Sequence, residues 1–217
     1  IIGASGKYIH SKNKLFYHAD TTMFGDPIPE TNFNVNDKYY KASAFAQYTL
    51  KLFRDRLILN AGARYDYFSA IEKKHVVAPR FGFSFKLTPV TAISGSTGIY
   101  NQSPEYLWIA SDPDNVKLKY IKAVHYIVGV EHLFTPELRF SVEAYYKDYS
   151  DYPVSVNIPT YVLINGGTEN GPNFVGPATS AGYGFTRGID FSLHKKLTGN
   201  GFYGMLNYSL AESRVTA

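Results

Sequence analysis

Residue types that commonly support catalysis or bind a metal are scattered along this sequence without a recognisable spacing. The six histidines form no H-x-x-H or H-E-x-x-H pair, and the lack of cysteine excludes a zinc ribbon, a disulfide scaffold and a thiol nucleophile. The sequence has no G-x-S-x-G motif. Glu131 and Glu143 are conceivable as a carboxylate pair, but charges on neighbouring strands more often pair with Arg or Lys. We predict no catalytic residue, no metal, no cofactor and no enzymatic activity.

Three short polar motifs resemble ligand-binding loops but are better explained as turns. Residues 112–115, Asp-Pro-Asp-Asn, place oxygen ligands at alternate positions, yet no Glu follows where an EF-hand needs one, so a surface turn is predicted. Residues 165–167 and 199–201 combine Asn with Gly, but neither opens a helix as a phosphate-binding loop would. The net charge of +4 is small and there is no basic run, so nucleic acid is not a predicted partner.

Aromatic and amide side chains in the longer irregular segments are the candidates for contacting a small molecule or a glycan. Rings offer stacking surfaces and amides offer hydrogen bonds. The predicted ligand contacts are Tyr106, Trp108, Tyr161 and Asn165. The alternative is that these rings only pack the segments together or anchor a rim.

The elements that must position these residues are predicted to be β-strands. The 217 residues are 45% hydrophobic and 16% aromatic, with 19 Tyr and 18 Gly, which is too apolar for a disordered chain and typical of β-structure. No run reaches the roughly 18 apolar residues of a membrane helix. The longest uncharged run, 152–168, is interrupted by Pro153 and Pro159. The predicted fold class is all-β.

Apolar and polar residues alternate along much of the chain with the period of two that is typical of a strand. The alternation is most regular in Leu57–Phe68 and in Arg139–Tyr149, where one face is apolar and the other carries charge. It predicts about nine strands, at 2–10, 40–52, 57–68, 80–87, 90–100, 121–134, 139–149, 183–197 and 201–214. A strand of a globular protein averages about five or six residues, whereas a tilted strand that crosses a bilayer needs about nine to eleven. Strand length therefore favours a membrane.

The connections between the predicted strands alternate between short and long. Short turns are predicted at 54–56, 88–89, 135–136 and 198–200, and longer links at 11–38, 69–77, 101–120 and 151–182. Outer-membrane barrels are built in this way, with short periplasmic turns and longer extracellular loops, whereas a soluble sandwich gives no reason for the alternation. An antiparallel meander that forms part of a transmembrane barrel is predicted.

Charge and aromatic placement assign the two faces of this meander. An unpaired charge in hydrocarbon costs about 2 to 4 kcal/mol at the midplane, so the charged phase should face a wet lumen. The predicted lumen-facing residues are Arg64, Asp66, Glu131, Glu143 and Lys147. Arg187 and His132 fall on the outward phase and should lie near an interface or beside a bulge. Two aromatic rims are predicted, with Tyr40, Tyr65, Tyr67, Tyr100 and Tyr146 toward the long links and Phe53, Phe134 and Phe202 toward the turns.

Four motifs, in order, resemble the barrel of TonB-dependent outer-membrane receptors. In that family a strand with a Gly-x-Arg-Tyr-Asp core, here residues 62–66, precedes a Pro-Arg-x-Gly strand, here residues 79–82. A Pro-containing loop, here residues 103–105, and a strand with Gly-x-Glu, here residues 129–131, follow. The segments that carry the resemblance are 47–67, 78–87, 138–152 and 184–208.

The resemblance implies a barrel of about 22 strands in the bacterial outer membrane, occluded by a plug on which the TonB complex pulls. It implies energised uptake of a scarce nutrient, either siderophore-bound iron, cobalamin or a glycan, with outer-membrane lipid, the TonB complex and, for glycans, a lipoprotein lid as partners. Haem-uptake members of this family use a His in the segment that follows the Pro-containing loop motif. This sequence has no His between Pro104 and Leu118, which argues against haem as the nutrient. Residues 1–217 are expected to be a partial barrel without the plug domain and the C-terminal strands.

Two other functions remain open from the sequence alone. A passive porin-like channel would share every physical feature described above and would lack only the plug. A soluble β-rich binding or adhesion module would pack the apolar side of its sheet on protein instead of lipid, and it would be soluble without detergent.

Overall fold

The fold is a single antiparallel sheet of nine strands. The computed structural model describes residues 1–21, 25, 27–28, 30–157, 162–166, 176–199 and 201–217. The strands of the sheet are β1 (Ile2–Tyr17), β4 (Thr31–Leu52), β5 (Leu57–Phe68), β6 (His75–Lys86), β7 (Thr91–Gln102), β8 (Ile121–Leu133), β9 (Leu138–Ser155), β10 (Ala178–Lys195) and β11 (Gly204–Thr216). A separate small hairpin, β2 (Asp20–Thr21) and β3 (Pro27–Ile28), lies between β1 and β4 in the chain. The predicted all-β meander of nine strands is confirmed.

Short and long connections lie at opposite ends of the sheet. The links 53–56, 87–90, 134–137 and 196–203 lie at one end, which we call the turn end. The links 18–30, 69–74, 103–120 and 156–177 lie at the other end, which we call the loop end. In the first turn, Phe53, Arg54 and Asp55 all have positive φ angles, between 53° and 64°. Such a run of left-handed residues reverses the chain between two long strands.

Most strands extend further toward the loop end than the sequence predicts, with the largest differences in β1, β4, β6, β9 and β10. β1 and β4 continue until Tyr17 pairs with Thr31, and β6 begins at His75, so that the link after β5 ends at residue 74. In the extension of β1 and β4, exposed polar residues such as Lys12, Asn34 and Asn36 occupy positions that a lipid-facing phase would give to apolar residues. The hydrophobic period is therefore lost there, although the backbone pairing continues.

Helical structure is confined to the links at the loop end of the described chain. One α-helix, α1 (Tyr106–Ala110), and a 3-10 helix at Pro113–Lys117 lie in the link between β7 and β8. A second 3-10 helix, Leu163–Gly166, lies between β9 and β10. None of the helices among the described residues has the length and apolar character needed to cross a membrane.

One face of the sheet is apolar over most of its middle part, and no other described part of the chain covers it. Phe81, Thr97 and Tyr126 are cross-strand partners on this apolar face. Phe81 is 46% exposed, Tyr126 is 53% exposed and Val128 is 57% exposed. Buried side chains of a soluble sandwich would instead be covered by a second sheet about 10 Å away. Among the described residues, the sheet has a single layer with an uncovered apolar face.

Aromatic contacts on the apolar face concentrate toward its two ends. Toward the loop end, the rings of Tyr8 and Tyr40 lie 5.3 Å apart, and those of Tyr146 and Phe185 stack at 6.0 Å. At the turn end, the rings of Phe134 and Phe140 lie 6.4 Å apart. Amphipathic rings favour the interfaces of a bilayer, so this distribution fits a membrane-spanning sheet.

Tyr100 differs from the prediction for the aromatic rim. It is the cross-strand partner of Ala123 and shares its phase with Arg80, so its ring lies on the face opposite Phe81. There it stacks on His125, with ring centroids 4.3 Å apart. The two faces of β7 differ little in hydrophobicity, because small residues occupy both, with Ser and Gly on one face and Thr and Gly on the other. The sequence of this strand therefore does not reveal on which face Tyr100 lies.

The two ionisable residues that the sequence analysis singled out on the outward phase, His132 and Arg187, lie in different settings. His132 is near the turn end of β8, where its Nδ1 lies 2.8 Å from the Thr91 hydroxyl. Arg187 is on the apolar face of β10 and pairs with Glu212 of β11 at 2.6 Å. The register between Gly184 and Lys195 is continuous, so no bulge changes the phase of Arg187. The bulge in this strand lies further toward the loop end, between Thr179 and Gly184.

The buried core of the described chain lies at the loop end and not along the middle of the sheet. Two hydrophobic clusters account for most of it. The first contains Tyr39, Phe68, Ala70, Ile71, Ile109 and Tyr120. The second contains Trp108, Leu118, Ile121, Tyr152, Val154, Val162, Leu163 and Ala178. Because residues of the link 103–120 enter both clusters, this link holds the loop end together.

Candidate functional site

The charged residues predicted to line a lumen all lie on one face of the sheet, opposite the apolar face, which we call the polar face. Cross-strand pairing connects Gly62, Arg80, Gly98, His125 and Lys147 in one row. The other predicted residues are an even number of positions from a member of this row, and therefore share its face. These residues are Arg64, Asp66, Glu131 and Glu143.

Charges on the polar face are partly paired. The Arg64 guanidinium donates to both carboxylate oxygens of Asp66, with Nε at 3.0 and 2.9 Å, and both residues belong to β5. Near the turn end, Arg139 of β9 pairs with Glu131 of β8 at 3.4 Å. Glu143 lies directly opposite Asp190 in the register of β9 and β10. The turn-end half of the polar face on these strands is therefore acidic.

Nearer the loop end, the polar face carries a group of residues that we call the basic stripe, which consists of Arg80, Tyr100, His125 and Lys147. The Arg80 guanidinium carbon lies 4.2 Å from the centre of the Tyr100 ring, and the Tyr100 ring also stacks on the ring of His125. Lys147 is the cross-strand partner of His125. Neither Arg80 nor Lys147 forms an ion pair with a carboxylate in the described part of the chain. The stripe therefore presents uncompensated positive charge beside aromatic rings, which suits an anionic ligand.

Gly98 makes the close contact between Arg80 and Tyr100 possible. A Cβ atom at this position would lie 2.9 Å from Cγ of Arg80, which is closer than van der Waals contact permits. With no side chain at residue 98, Arg80 lies flat across β7 and reaches the Tyr100 ring.

The link 103–120 folds over the loop end of the polar face. Its Tyr106 ring stacks on Tyr39 of β4, with centroids 5.5 Å apart, and meets Phe68 of β5 edge-on at 5.7 Å. Tyr39 and Phe68 both belong to the polar face, and both are buried. The link therefore covers this end of the polar face, with the ring of Tyr106 packed against it.

Lys41 fixes this link to the sheet. Its ammonium group lies 4.4 Å from the centre of the Phe68 ring and 4.6 Å from that of Tyr106, and it donates to the Ser103 hydroxyl at 2.6 Å. A cation between two rings gains electrostatic attraction from both ring faces. Lys41 thus joins β4, β5 and the start of the link at one point.

Replacing Lys41 with Met is expected to weaken the attachment of the link by about 1 to 2 kcal/mol, because the chain length is kept while both cation–π contacts are lost. The measurement is hydrogen exchange of the amides in residues 103–118 of the full-length protein. Lys38→Met is the matched control, since Lys38 is an exposed residue of the same strand. Equal exchange in both variants would contradict the role given to Lys41.

An open pocket of about 620 Å³ lies beside this attachment. The residues that line this pocket include Ser11, Lys41, Gln102, Ser103, Glu105 and Tyr106. Partial burial raises the pKa of the Glu105 carboxyl above its usual range. The pocket thus combines a cation, a carboxyl group, hydroxyls and an aromatic ring, a mixture that can bind a polar ligand with a ring or a sugar-like face.

The raised pKa of Glu105 predicts a pH dependence. Because the folded protein binds this proton more tightly than the unfolded chain does, the free energy of unfolding should fall as pH rises from the ordinary carboxyl pKa through the raised one. Glu105→Gln should remove this slope and be the more stable form at neutral pH. Urea unfolding between pH 4 and pH 8 measures it, and a wild-type profile parallel to that of the variant would refute the prediction.

The second cluster attaches the same link to β9, β10 and the segment before β10. Trp108 is 8% exposed and lies among Leu118, Tyr152 and Val154. Lys119 adds an ion pair with Asp151 of β9, at 3.0 Å. The indole of Trp108 therefore serves as a packing element within the loop end.

Asn115 is the polar centre of this attachment. Its side chain is fully buried, and its amide nitrogen donates to the carbonyls of Trp108, at 2.6 Å, and Gly176, at 2.9 Å. Its amide oxygen accepts from the backbone N–H of Ala178 at 2.8 Å. The sequence predicts a surface turn at residues 112–115. Asp112 does cap this turn by accepting from the N–H of Asp114 at 2.8 Å, but Asn115 points into the core, which the prediction missed.

The four predicted ligand contacts lie in different settings. Tyr106 lines the open pocket, whereas Trp108 is buried in the second cluster. Tyr161 lies outside the described residues. Asn165 is part of the 3-10 helix Leu163–Gly166, and its side chain lies outside the described part. Lys41, Glu105 and Asn115 were not among the predicted site residues, since their roles depend on spatial partners that the sequence does not reveal. Within the described chain, no group of three His, Asp or Glu residues could hold a metal ion.

Comparison with known proteins agrees with this geometry. A family model described as TonB dependent receptor-like, beta-barrel matches residues 3–216. No curated protein matches the chain by sequence. Among solved structures, a variant of the FrpB iron transporter from Neisseria meningitidis has a TM-score of 0.62 at 14% identity, over 83% of this chain and 26% of its own.

Two further structures are similar over almost the whole chain. The outer membrane transporter YddB from Escherichia coli has a TM-score of 0.65 at 12% identity, over 99% of this chain and 30% of its own. The copper transporter OprC has a TM-score of 0.62 at 16% identity, over 99% of this chain and 34% of its own. The chain thus spans between about a quarter and a third of these structures. With the family model covering nearly every residue, the chain belongs to the TonB-dependent receptor-like β-barrel family.

Proposed function

We propose that this chain is part of the barrel wall of a receptor in the bacterial outer membrane that takes up a scarce nutrient with energy from the TonB complex. The observation that carries the proposal is the uncovered apolar face, with aromatic contacts at both ends, set opposite a polar face with charged residues. Lipid acyl chains would cover the apolar face, because leaving it in water is unfavourable. The polar face would line the lumen, where Arg64, Asp66, Glu131, Glu143 and Lys147 remain hydrated.

The rest of the barrel must complete the structure. β1 and β11 are the edge strands of the described sheet, and an open edge in lipid leaves backbone groups without partners. Further strands of the full-length receptor would pair with both edges. A plug inside the closed barrel would contact the polar face and connect it to the TonB complex.

The loop end is the part of this chain that would meet the nutrient. Tyr106, Lys41 and Glu105 face an open pocket there, and the basic stripe lies further down the polar face. Trp108, Tyr161 and Asn165 would shape or extend this surface. The positive charge of Arg80 and Lys147 favours an anionic metal chelate among the possible cargoes, and the similar structures include an iron transporter and a copper transporter. Neutral glycans taken up under a lipoprotein lid are the competing cargo class.

Membrane placement is tested by cysteine labelling, for which a sequence without cysteine is well suited. Val128→Cys on the apolar face should react with a water-soluble maleimide only after unfolding. Asp114→Cys, in the exposed part of the link 103–120, should react on intact cells. A protein that is soluble without detergent and reacts equally at both positions would be a soluble β-rich module, and the proposal would be wrong.

Energised uptake is tested in a strain that lacks the receptor. Uptake of radioactive iron from ferric siderophores, and of copper from copper chelates, should be lost for one cargo class and restored by the wild-type gene. Restored uptake should stop when a protonophore removes the proton gradient or when the TonB protein is deleted. Uptake that continues under both conditions would indicate a passive channel instead.

A further inference from the structure

A charged cluster interrupts the apolar face on β10 and β11. Arg187, Glu212 and Arg214 all lie in the phase of Phe185 and Ile189, since Arg187 pairs with Glu212 in the register and Phe185 pairs with Arg214. Further toward the turn end, the same phase of β10 continues with Ile189, Phe191 and Leu193 and ends with Lys195 at the last position of the strand. The cluster therefore stands at the upper border of an uninterrupted apolar strip.

The geometry of the cluster leaves donors free. Arg187 donates from Nε and one terminal nitrogen to Oε2 of Glu212, at 2.9 and 2.6 Å. Arg214 forms an ion pair with the same carboxylate, with its Nε 2.7 Å from Oε1. A guanidinium has five N–H donors, so each arginine keeps most of its donors for another acceptor. Two cations share one anion, so these three side chains together have a net positive charge. The nearest further carboxylate on this face is that of Asp148 of β9, the cross-strand partner of Phe185, and it forms no ion pair with either arginine in the described part of the chain.

Aromatic rings beside this cluster indicate its depth in the membrane. The Arg187 guanidinium carbon lies 5.5 Å from the centre of the Phe185 ring, which in turn stacks on Tyr146. Such rings prefer the depth of the lipid headgroups, and a charged group has the same preference because acyl chains cannot solvate it. Arg187 and Arg214 would thus lie where headgroups meet the apolar strip, at the side of the membrane that carries the loop end.

We propose that Arg187 and Arg214, held apart and oriented by Glu212, bind the phosphate of an anionic lipid headgroup in this leaflet. Guanidinium groups bind phosphate oxygens through paired, charge-assisted hydrogen bonds, and the excess positive charge is complementary to a phosphomonoester. The acyl chains of the same lipid would lie on Ile189, Phe191 and Leu193. The proposal rests on the membrane placement proposed above.

The test measures lipid binding to the full-length receptor in dodecyl maltoside micelles. Dimyristoyl phosphatidic acid should raise the melting temperature and should appear as bound lipid in native mass spectra, whereas phosphatidylcholine with the same acyl chains should do so more weakly. In the triple variant Arg187→Gln/Glu212→Gln/Arg214→Gln, the affinity for phosphatidic acid should fall about tenfold, as expected for lost charge-assisted contacts. Removing all three charges avoids leaving Glu212 unpaired.

A matched control is the double variant Glu131→Gln/Arg139→Gln, which removes an ion pair of similar exposure from the polar face. It should bind phosphatidic acid as the wild type does. Equal binding by the triple variant and the wild type, or equal binding of the two lipids, would overturn the inference. A shift produced by inorganic phosphate alone would also overturn it, because the lipid chains would then contribute nothing.

Cysteine labelling separates this inference from the proposed function. If Val128→Cys stays protected while the phosphate effect is missing, only the lipid inference fails. If Val128→Cys reacts freely in the folded protein, the membrane placement fails and the lipid inference with it. Nutrient uptake by the triple variant should match that of the wild type, since the cluster lies on the opposite face from the basic stripe.

Discussion

Asn115→Ala is expected to lower the free energy of unfolding of the loop end by about 3 kcal/mol, because it removes hydrogen bonds from three backbone groups. The N–H of Ala178 loses its side-chain acceptor, and the carbonyls of Trp108 and Gly176 are left to share the single proton of the Ser111 hydroxyl. Each buried, unsatisfied group costs about 1 to 3 kcal/mol, and partial entry of water reduces the sum. The variant should also bind its ligand more weakly, since the link 103–120 would no longer be held against the segment before β10.

The measurement uses Trp108, the only tryptophan in the sequence. Its emission should shift to longer wavelength and its urea transition to lower concentration in Asn115→Ala, with Trp108→Phe providing the background. Asp114→Ala is the matched control, because the neighbouring Asp114 side chain is 73% exposed and forms an ion pair with the exposed Lys117. A transition unchanged in Asn115→Ala would mean that water replaces the amide without cost, which would contradict the central role of Asn115.

Phe68→Ala is expected to destabilise the loop end by about 3 to 5 kcal/mol, the range for removing a buried phenylalanine side chain from a packed core. Phe68 is 1% exposed, lies among Tyr39, Tyr106 and Ile71, and provides one of the two rings around the Lys41 ammonium. The change therefore removes packing and a cation–π contact together. Hydrogen exchange in residues 103–118 should become much faster while the amides of β8 and β9 near the turn end remain protected.

Phe53→Ala provides the control for this prediction. Phe53 is 71% exposed in the turn between β4 and β5, so its removal creates no cavity. A stability loss as large as that of Phe68→Ala would show that ring removal acts through the membrane interface, and not through the core at the loop end. A double variant Lys41→Met/Phe68→Ala should cost less than the sum of the single changes, because both act on the same contact.

The regular part of the fold was largely predictable from the sequence. Where one side of a strand meets an apolar environment and the other meets water, alternation reports both the strand and its faces, as in Leu57–Phe68. For the same reason, the sequence predicted correctly that Arg64 and Asp66 lie on the same face of β5. The prediction was less accurate at the loop end, where β1 and β4 continue as a ribbon with exposed polar residues, and in β7, where small residues occupy both faces.

The sequence by itself determined the strands, their order, the alternation of turns and loops and the family, because these depend on local periodicity and short motifs. Only the tertiary structure decided that Lys41 lies between Phe68 and Tyr106, that Trp108 packs inside a cluster, and that Asn115 is buried. These contacts join residues far apart in the chain; Asn115 and Ala178, for example, are separated by 63 positions. A loop has no repeating period, so the burial of each of its side chains depends on which distant strands the register brings beside it.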